Sequence, residues 1–416
     1  MSYHVHTLKQ LQNDKLTGIK RLVLSENLSE FPQEIFKLAD SLEVLELSNN
    51  LLSELPEDLH RLKNLKILFC SNNCFTHLPE AIGQCEKLEM IGFKNNQIVH
   101  VPDASLPLIT RWLILTDNKI TQLPESFGKL VRLQKLALAG NNLTELPASF
   151  AQCENLELIR LAANQLAEFP DVLLTLPKLA WLAFSGNPFC APRAKHDEFK
   201  SVSFSDLALG KVLGQGASGV ISKANWVNNQ FNFATNVAVK VFKGEITSDG
   251  FPEDELDACL STGHHENLIK PLAKITHPDC SALIMDLIPQ DYVNLGQPPS
   301  LQSCTRDTFT QGQYFSIKQI YSIVEQMHNL VQHFKAKEIS HGDLYAHNVL
   351  INEQGHILCG DFGAASKYQN LSDPQKLGIQ KIENRAFKYF IEDLLSVCDH
   401  DDVDCAQYQL CQQLSG

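Results

Sequence analysis

The residues of this 416-residue chain that could do chemistry are concentrated in four short stretches. Residues 341–348 read HGDLYAHN, and a DFG sequence follows at 361–363. Upstream lie GQGASG at 214–219 and a lysine, Lys240, at the end of VAVK. Carboxylate and amide oxygens suit a hard cation such as Mg²⁺. Glycines let a backbone close over phosphates, and a lysine supplies a point charge to them. Together these residue types indicate chemistry on a phosphate-bearing ligand.

The glycine-rich stretch at 214–219 is informative because of the residues on its C-terminal side. A GxGxxG sequence alone is weak evidence, since dinucleotide-binding proteins share it, but there it leads into a helix. Here Ile221 follows two residues after the last glycine, and a second strand-like run ends in VAVK at 237–240. This combination resembles the glycine loop and phosphate-binding lysine of the protein kinase family. The resemblance implies that the loop covers the phosphates of ATP and that Lys240 contacts them.

The strings at 341–348 and 361–363 resemble the catalytic loop and the magnesium-binding motif of the same family. The resemblance implies that Asp343 accepts the proton of the attacking hydroxyl group. It also implies that Asn348 and Asp361 bind Mg²⁺ next to the ATP phosphates. The apolar runs between the two motifs predict a β-hairpin. Four motifs in the family's order make a chance match very unlikely.

Lys240 needs an anionic partner to hold it in place. Glu255 lies 15 residues further on, in the helix-like sequence PEDELDACL, and the resemblance makes it the preferred partner. Glu253 and Asp254 stay open as alternatives. The family plan also predicts an adenine pocket and a hinge that donates backbone hydrogen bonds. The ATP-binding residues predicted in this way are Leu213, Gly214, Gln215, Gly216, Ala217, Ser218, Gly219, Val220, Ile221, Ala238, Lys240, Glu255, Met285, Asp286, Ile288, Leu350 and Asp361.

The chain departs from the family pattern in three ways. Gly342 replaces the arginine that docks a phosphorylated activation loop, which implies activity without that phosphorylation. HGD sequences also occur in small-molecule kinases of the aminoglycoside and choline type. No lysine or arginine lies between the catalytic Asp and Asn, so Tyr345 or His347 would meet the transferred phosphate, and His347 is favoured as the further catalytic residue. No Ala-Pro-Glu follows Asp361, and the rest of the lobe, from the helix-like 383–387 onward, is short.

The first half of the chain repeats about every 23 residues. Apolar residues five and three positions before a recurring asparagine predict a short strand with one buried face. A buried asparagine side chain satisfies backbone donors and acceptors where the chain turns, and a proline then ends the extended stretch. The pattern resembles the leucine-rich-repeat family and implies a stacked solenoid. The repeated asparagines are Asn27, Asn50, Asn73, Asn96, Asn118, Asn141, Asn164 and Asn187.

Stacking these units predicts a parallel sheet whose concave face binds a protein substrate or regulator, because aromatic and arginine side chains are enriched in such surfaces. The alternative is that some of them only cap the solenoid, and Trp181 could pack on the second half of the chain instead. The positions predicted to be exposed are Arg21, Lys66, Phe69, Met90, Arg111, Trp112, Lys135, Arg160 and Trp181.

Composition limits the remaining possibilities. The net charge of −13 argues against a nucleic-acid partner or an anionic membrane surface. The N-terminus lacks a signal-peptide core, and no apolar run reaches 18 residues, so a cytoplasmic protein without membrane insertion is expected. Cys70, Cys85 and Cys153 recur in phase with the repeats. Core packing in a reducing compartment is therefore favoured over metal binding or disulfides.

The sequence predicts an α/β protein with two domains. A cap at 1–15 and eight repeats at 16–190 form the solenoid, and after a linker at 191–203 a bilobal α+β kinase-like domain with a shortened second lobe occupies 204–416. The expected function is ATP- and Mg²⁺-dependent phosphorylation of protein Ser/Thr, with the repeats recruiting the substrate. A small-molecule kinase and a nucleotide-binding scaffold with little turnover are the alternatives. Fusions of this layout resemble bacterial and plant proteins, and the bacterial type is favoured.

Overall fold

The computed structural model describes residues 5–216, 218–243, 246–277, 280–399 and 405–414. It divides the chain into two units. The first contains residues 1–179 with 187–189, and the second contains residues 180–186 with 190–416.

The repeats form three-residue strands in one parallel sheet, in sequence order. The central residue of each strand points into the core, as the alternating pattern predicts, and is fully buried from Leu22 to Leu182. A short helix α1 (Leu8–Gln12), with a capping box on Thr7, precedes the sheet. The strands are β1 (Arg21–Val23), β2 (Val44–Glu46), β3 (Ile67–Phe69), β4 (Met90–Gly92), β5 (Trp112–Ile114), β6 (Lys135–Ala137), β7 (Leu158–Arg160) and β8 (Trp181–Ala183).

The repeated asparagines connect neighbouring turns. Asn50 Oδ1 accepts from the backbone N–H groups of Glu26 and Leu28, both at 3.0 Å. Its Nδ2 donates to the carbonyl oxygens of Leu24 and Leu47, at 2.9 and 2.8 Å. The later asparagines of the series are buried too. They repeat the donation to a carbonyl of the preceding turn. The prediction is wrong for Asn27, which is exposed with a φ of 55°.

Proline redirects the chain after the strands, as predicted. Short 3₁₀ helices follow Pro79, Pro124, Pro147 and Pro170, for example Glu80–Gln84. Cys70, Cys85 and Cys153 are all buried, which confirms the core-packing interpretation.

The second unit contains a six-stranded sheet in the order β10-β11-β12-β14-β13-β9. The strand that leads into the glycine-rich stretch begins at Leu207, because Phe204–Asp206 form a 3₁₀ turn capped by Ser203. Within the predicted linker, β9 pairs in parallel with β13. The helical prediction for PEDELDACL is confirmed by α2 (Pro252–Thr262). The strands are β9 (Lys200–Ser201), β10 (Leu207–Gln215), β11 (Gly219–Trp226), β12 (Asn236–Phe242), β13 (Pro271–His277) and β14 (Cys280–Asp286).

A long helix, α3 (Ile317–Ala336), begins at a capping box on Ser316. Its apolar residues are buried at the spacing of one helical face, which includes Ile317, Ile320, Val324, Met327, Val331 and Phe334. The predicted hairpin forms from β17 and β18. Among the described residues, no helix combines the length and apolar character needed to cross a membrane. The remaining elements are β15 (Val293–Asn294), β16 (Ile339–Ser340), β17 (Val349–Ile351), β18 (Ile357–Cys359), β19 (Ser366–Lys367), α4 (Asp373–Leu395) and α5 (Ala406–Leu414).

Candidate active site

The glycine-rich stretch forms the turn between the antiparallel strands β10 and β11. The backbone N–H of Gly216 donates to the carbonyl oxygen of Gly219 at 3.0 Å, which closes the turn. A β-carbon on Gly219 would lie 2.4 Å from the carbonyl oxygen of Val241, so only glycine fits there. The sequence therefore places a tight glycine turn directly beside the strand that carries Lys240.

Lys240, on β12, forms an ion pair with Glu255 in the first turn of α2. The two side chains are only 11% and 6% exposed. Burial opposes the charge of Lys240, but the Coulombic attraction of Glu255 and Asp361 outweighs it and raises the pKa of the lysine. Burial also raises the pKa of Glu255, although Lys240 opposes that shift. A charged lysine is thus held in a largely dehydrated position.

The two alternative partners for Lys240 are engaged elsewhere or exposed. Asp254 accepts from Arg193 Nε at 2.5 Å, and Glu253 is exposed at the surface of α2. The structure therefore places Glu255, and neither of its neighbours, against Lys240.

A cleft of about 890 Å³, counting the part open to solvent, lies beneath the glycine turn. Eight of the predicted residues line it: Gly216, Ser218, Gly219, Ile221, Lys240, Glu255, Met285 and Asp361. Seven lining residues were not predicted: Phe242, Asp249, Cys259, Ile269, Leu283, Gly360 and Phe362. Leu213, Gly214, Gln215, Val220, Ala238, Asp286, Ile288 and Leu350 are described but do not line this cleft, and Ala217 lies outside the described residues.

The HGDLYAHN stretch forms an extended segment and a 3₁₀ turn, Ala346–Asn348. Asn348 Nδ2 donates to the Asp343 carboxylate at 2.8 Å and to its carbonyl oxygen at 3.0 Å. Because the amide nitrogen makes these contacts, they leave the amide oxygen of Asn348 for another partner. Asp361 is exposed, has a φ of 57°, and accepts from the backbone N–H of Gly363 at 3.3 Å. A carboxylate and an amide oxygen are ligands that fit Mg²⁺.

Comparison with known proteins finds a matching family for each half of this chain. Residues 207–385 match the family described as protein tyrosine and serine/threonine kinase. Residues 40–98, 110–166 and 131–189 match the leucine-rich-repeat family. Leucine-rich repeats are fused to a protein kinase domain in this chain.

The kinase domain is similar to fibroblast growth factor receptor 1 of Xenopus laevis and of Pleurodeles waltl, with 27% identity over 197 residues in each case. Each match covers 44% of this chain but 24% of the receptor, so the chain spans about a quarter of the length of these relatives. A leucine-rich-repeat protein structure from Leptospira interrogans matches with 30% identity and a TM-score of 0.34, covering 40% of this chain and 48% of that one.

Glu383 of α4 holds the start of the catalytic loop of the kinase domain. Its carboxylate accepts from Ser340 Oγ at 2.8 Å and from the backbone N–H groups of His341 and Gly342 at 2.9 and 3.2 Å. The sequence marked the helix but not this contact. His341 and Phe362 pack together with ring centroids 5.5 Å apart, which connects this loop to the DFG sequence at 361–363.

Gly342, which replaces the family's arginine, lies in a confined position. Its φ is 70°, and a β-carbon there would lie 2.5 Å from the carbonyl oxygen of Ala364 and 2.7 Å from that of Leu182. The backbone leaves no room for any side chain. Nearby, Ser366 Oγ accepts from the backbone N–H groups of Phe184 and Ser185 at 2.9 and 3.1 Å.

The predicted exposure of several sheet positions is wrong. Trp181 is 1% exposed, because it stacks on Tyr345 of the catalytic loop. Met90 is 4% exposed and lies in register between the bulky Ile67 and Trp112. Arg160 is 5% exposed. The alternative expectation for Trp181, packing on the second half of the chain, is the one that the structure shows.

Proposed function

We propose that this protein transfers the γ-phosphoryl group of ATP to serine or threonine hydroxyls of a protein substrate. A protein kinase domain implies phosphoryl transfer to proteins. The observation that carries the proposal for this chain is the buried Lys240–Glu255 pair, which holds a charged lysine at the cleft beneath the glycine turn. Such a lysine would bind ATP phosphates as a fixed point charge.

Asp343 and Asn348 would act on the acceptor side. Asn348 fixes the Asp343 carboxylate through a 2.8 Å hydrogen bond, so that this carboxylate is oriented to accept the proton of the substrate hydroxyl. The oxygens of Asn348 and Asp361 would hold Mg²⁺, which supplies charge neutralisation at the phosphates when bound. The other ATP-binding residues expected from the sequence belong to the same proposal.

We propose that the repeats recruit the protein substrate or a regulator through the concave face of their sheet. Phe69 and Trp112 remain partly exposed there, and Lys135 Nζ lies 4.5 Å from the centre of the Trp112 ring. Aromatic and cationic side chains of this kind are typical of protein-binding surfaces. We also propose a cytoplasmic location, because Cys70, Cys85 and Cys153 are buried in the repeats as free thiols.

The catalytic proposal is tested by incubating the full chain with radiolabelled ATP, Mg²⁺ and an acceptor protein. The Asp343→Ala variant is expected to transfer phosphate about 10²–10⁴-fold more slowly. Equal labelling by the two proteins would show that the proposal is wrong. Phosphoamino-acid analysis of the product distinguishes Ser/Thr from Tyr. ATP binding without any labelling would favour the scaffold alternative.

Recruitment is tested with Trp112→Ala, which removes a face residue without touching the catalytic loop. We expect it to reduce labelling of a protein captured by the repeats and to leave labelling of a generic acceptor protein unchanged. An unchanged rate on the captured protein would contradict recruitment through this face.

A further inference from the structure

The segment that follows β15 wraps around the second half of the catalytic loop. The backbone N–H of Leu295 donates to Val349 O at 2.8 Å, and that of Gly296 donates to Ala346 O at 3.1 Å. Gln297 and Thr308 then exchange two backbone hydrogen bonds, at 2.7 and 3.0 Å, so the chain returns to the same place. This return brings the side chain of the intervening residue Asp307 to the loop.

Asp307 binds two consecutive residues of the catalytic loop with its two carboxylate oxygens. Oδ2 accepts from the backbone N–H of Ala346 at 2.5 Å, and Oδ1 lies 2.6 Å from His347 Nδ1. The Asp307 side chain is 1% exposed, whereas that of His347 is 20% exposed. A carboxylate accepts only, so this contact assigns a proton to Nδ1 and leaves Nε2 for another partner.

The position of Asp307 is itself fixed by contacts on the side away from the loop. Its backbone N–H donates to Asp393 Oδ2 at 3.3 Å, and Asp393 forms an ion pair with Arg306 at 2.6 Å. The position of the Asp307 carboxylate is therefore fixed by the adjacent residues Arg306 and Thr308 and by α4. A fixed, dehydrated acceptor sets the orientation of the group that it binds at little further entropic cost.

His347 lies between Asp343 and Asn348 in the turn where the chain has no lysine or arginine. We propose that Asp307 is a positioning residue, which fixes the His347 ring so that its Nε2 edge contacts the transferred phosphoryl group. The inference rests on the proposed kinase function. In this arrangement Asp307 Oδ1 holds the Nδ1 edge of the ring at 2.6 Å, and the Nε2 edge is left for the phosphoryl group.

The other interpretation of the same contacts is that Asp307 only anchors the backbone at Ala346. Asp307→Asn separates the two, because the amide keeps one oxygen to accept from Ala346 but removes the negative charge beside His347. We expect Asp307→Asn to lower kcat for phosphate transfer about tenfold, since charge-assisted hydrogen bonds are the stronger ones. His347→Ala should lower it about 10²–10³-fold, with the KM for ATP unchanged in both variants.

The double variant decides between the two interpretations. If Asp307 acts through His347, Asp307→Asn adds no further loss in the His347→Ala background. The charge of an arginine needs no partner, so His347→Arg should restore the transfer rate that His347→Ala loses. Adding Asp307→Asn to His347→Arg should then leave that rate unchanged. An undiminished effect of Asp307→Asn in either background would overturn the inference and leave a purely structural anchor.

A readout without nucleotide comes from ¹⁵N NMR of the histidine rings in the full chain. The wild type should show a protonated Nδ1 for His347, and Asp307→Asn should move that proton to Nε2. His356, which pairs through Nδ1 with Tyr292 Oη at 2.8 Å, serves as the unchanged control ring. If the His347 signal is the same in both proteins, the inference is wrong.

The kinetic outcomes also separate this inference from the function on which it rests. Equal labelling by wild type and Asp343→Ala would refute the proposed function. A normal loss in Asp343→Ala, together with a wild-type rate in Asp307→Asn, would refute only the role of Asp307.

Discussion

The indole ring of Trp181 lies nearly parallel to the ring of Tyr345, with centroids 4.5 Å apart and planes 11° from parallel. Its Nε1 donates to the carbonyl oxygen of Leu344 at 3.2 Å. Tyr345 in turn packs against His347 with centroids 5.0 Å apart. A side chain of β8 therefore supports the middle of the catalytic loop, between Asp343 and Asn348.

Replacing Trp181 by alanine should destabilise the second unit and slow phosphate transfer. Truncating a buried Trp costs about 3–5 kcal/mol, because contacts are lost and a cavity remains. Trp181→Phe keeps an aromatic ring and loses the hydrogen bond, so it should cost clearly less. Urea denaturation measures the stability, and initial labelling rates measure the transfer. A Trp181→Ala protein with wild-type stability would contradict this account of the loop.

Replacing Glu255 by glutamine should weaken both stability and ATP use. The change leaves the buried Lys240 without its carboxylate partner, and breaking a buried ion pair costs about 3–5 kcal/mol. The matched control is Glu253→Gln on the same helix, whose side chain is exposed. Denaturation and the KM for ATP would be measured for both variants. If the two variants have the same stability and the same KM for ATP, the ion pair contributes to neither.

The repeat architecture could be predicted from the sequence because its signals are local and periodic. Leu45, Leu47 and Asn50 sit at the spacing that a strand and a buried turn require. Asn27 breaks the rule for a physical reason. Each buried asparagine bonds to the turn before it, as Asn50 does to Leu24, but α1 rather than a repeat precedes Asn27. The first asparagine therefore has no equivalent turn to bind.

Only part of the candidate site could be predicted from the sequence. Lys240 and Glu255 were found because a strand and a helix carry them in a recognisable order. Asp307 was missed, since its contacts with Ala346 and His347 span about 40 residues and leave no periodic or local signal. The sequence also showed that an arginine is absent at Gly342, but not that two carbonyl oxygens occupy the space of its side chain.

Replacing Gly342 by alanine should therefore destabilise the protein by more than the cost of the positive φ alone. Both Gly342 and Gly355 have a positive φ, of 70° and 81°, which costs a residue with a β-carbon about 1–2 kcal/mol. A β-carbon at Gly355 meets nothing within 4 Å, so Gly355→Ala measures the conformational cost by itself. We expect Gly342→Ala to be the more destabilised of the two in denaturation experiments, and to lose labelling activity. Equal destabilisation would show that the loop moves aside without cost.

Asp393 should make the stability depend on pH in the mildly acidic range. Burial raises the pKa of its carboxyl group to about 6, although Arg306 opposes the shift. Since the ordinary pKa is lower, the folded protein holds this proton more tightly than the unfolded chain between about pH 4 and 6. The contribution therefore favours folding at low pH and is lost as the pH rises through 6.

The Asp393→Asn variant isolates that contribution, because the other carboxyl groups titrate in both proteins and cancel in the difference. As the pH falls from 7.5 to 4.5, the wild type should gain stability relative to Asp393→Asn by at most about 3 kcal/mol. The free energy of unfolding in urea, measured at several pH values, gives this difference directly. A difference that is flat, or that grows with rising pH, would mean that Arg306 outweighs burial and keeps Asp393 ionised throughout. In that case Asp393 would keep its ion pair with Arg306 over the whole pH range. The contact between Asp307 and His347 would then not change with pH because of Asp393.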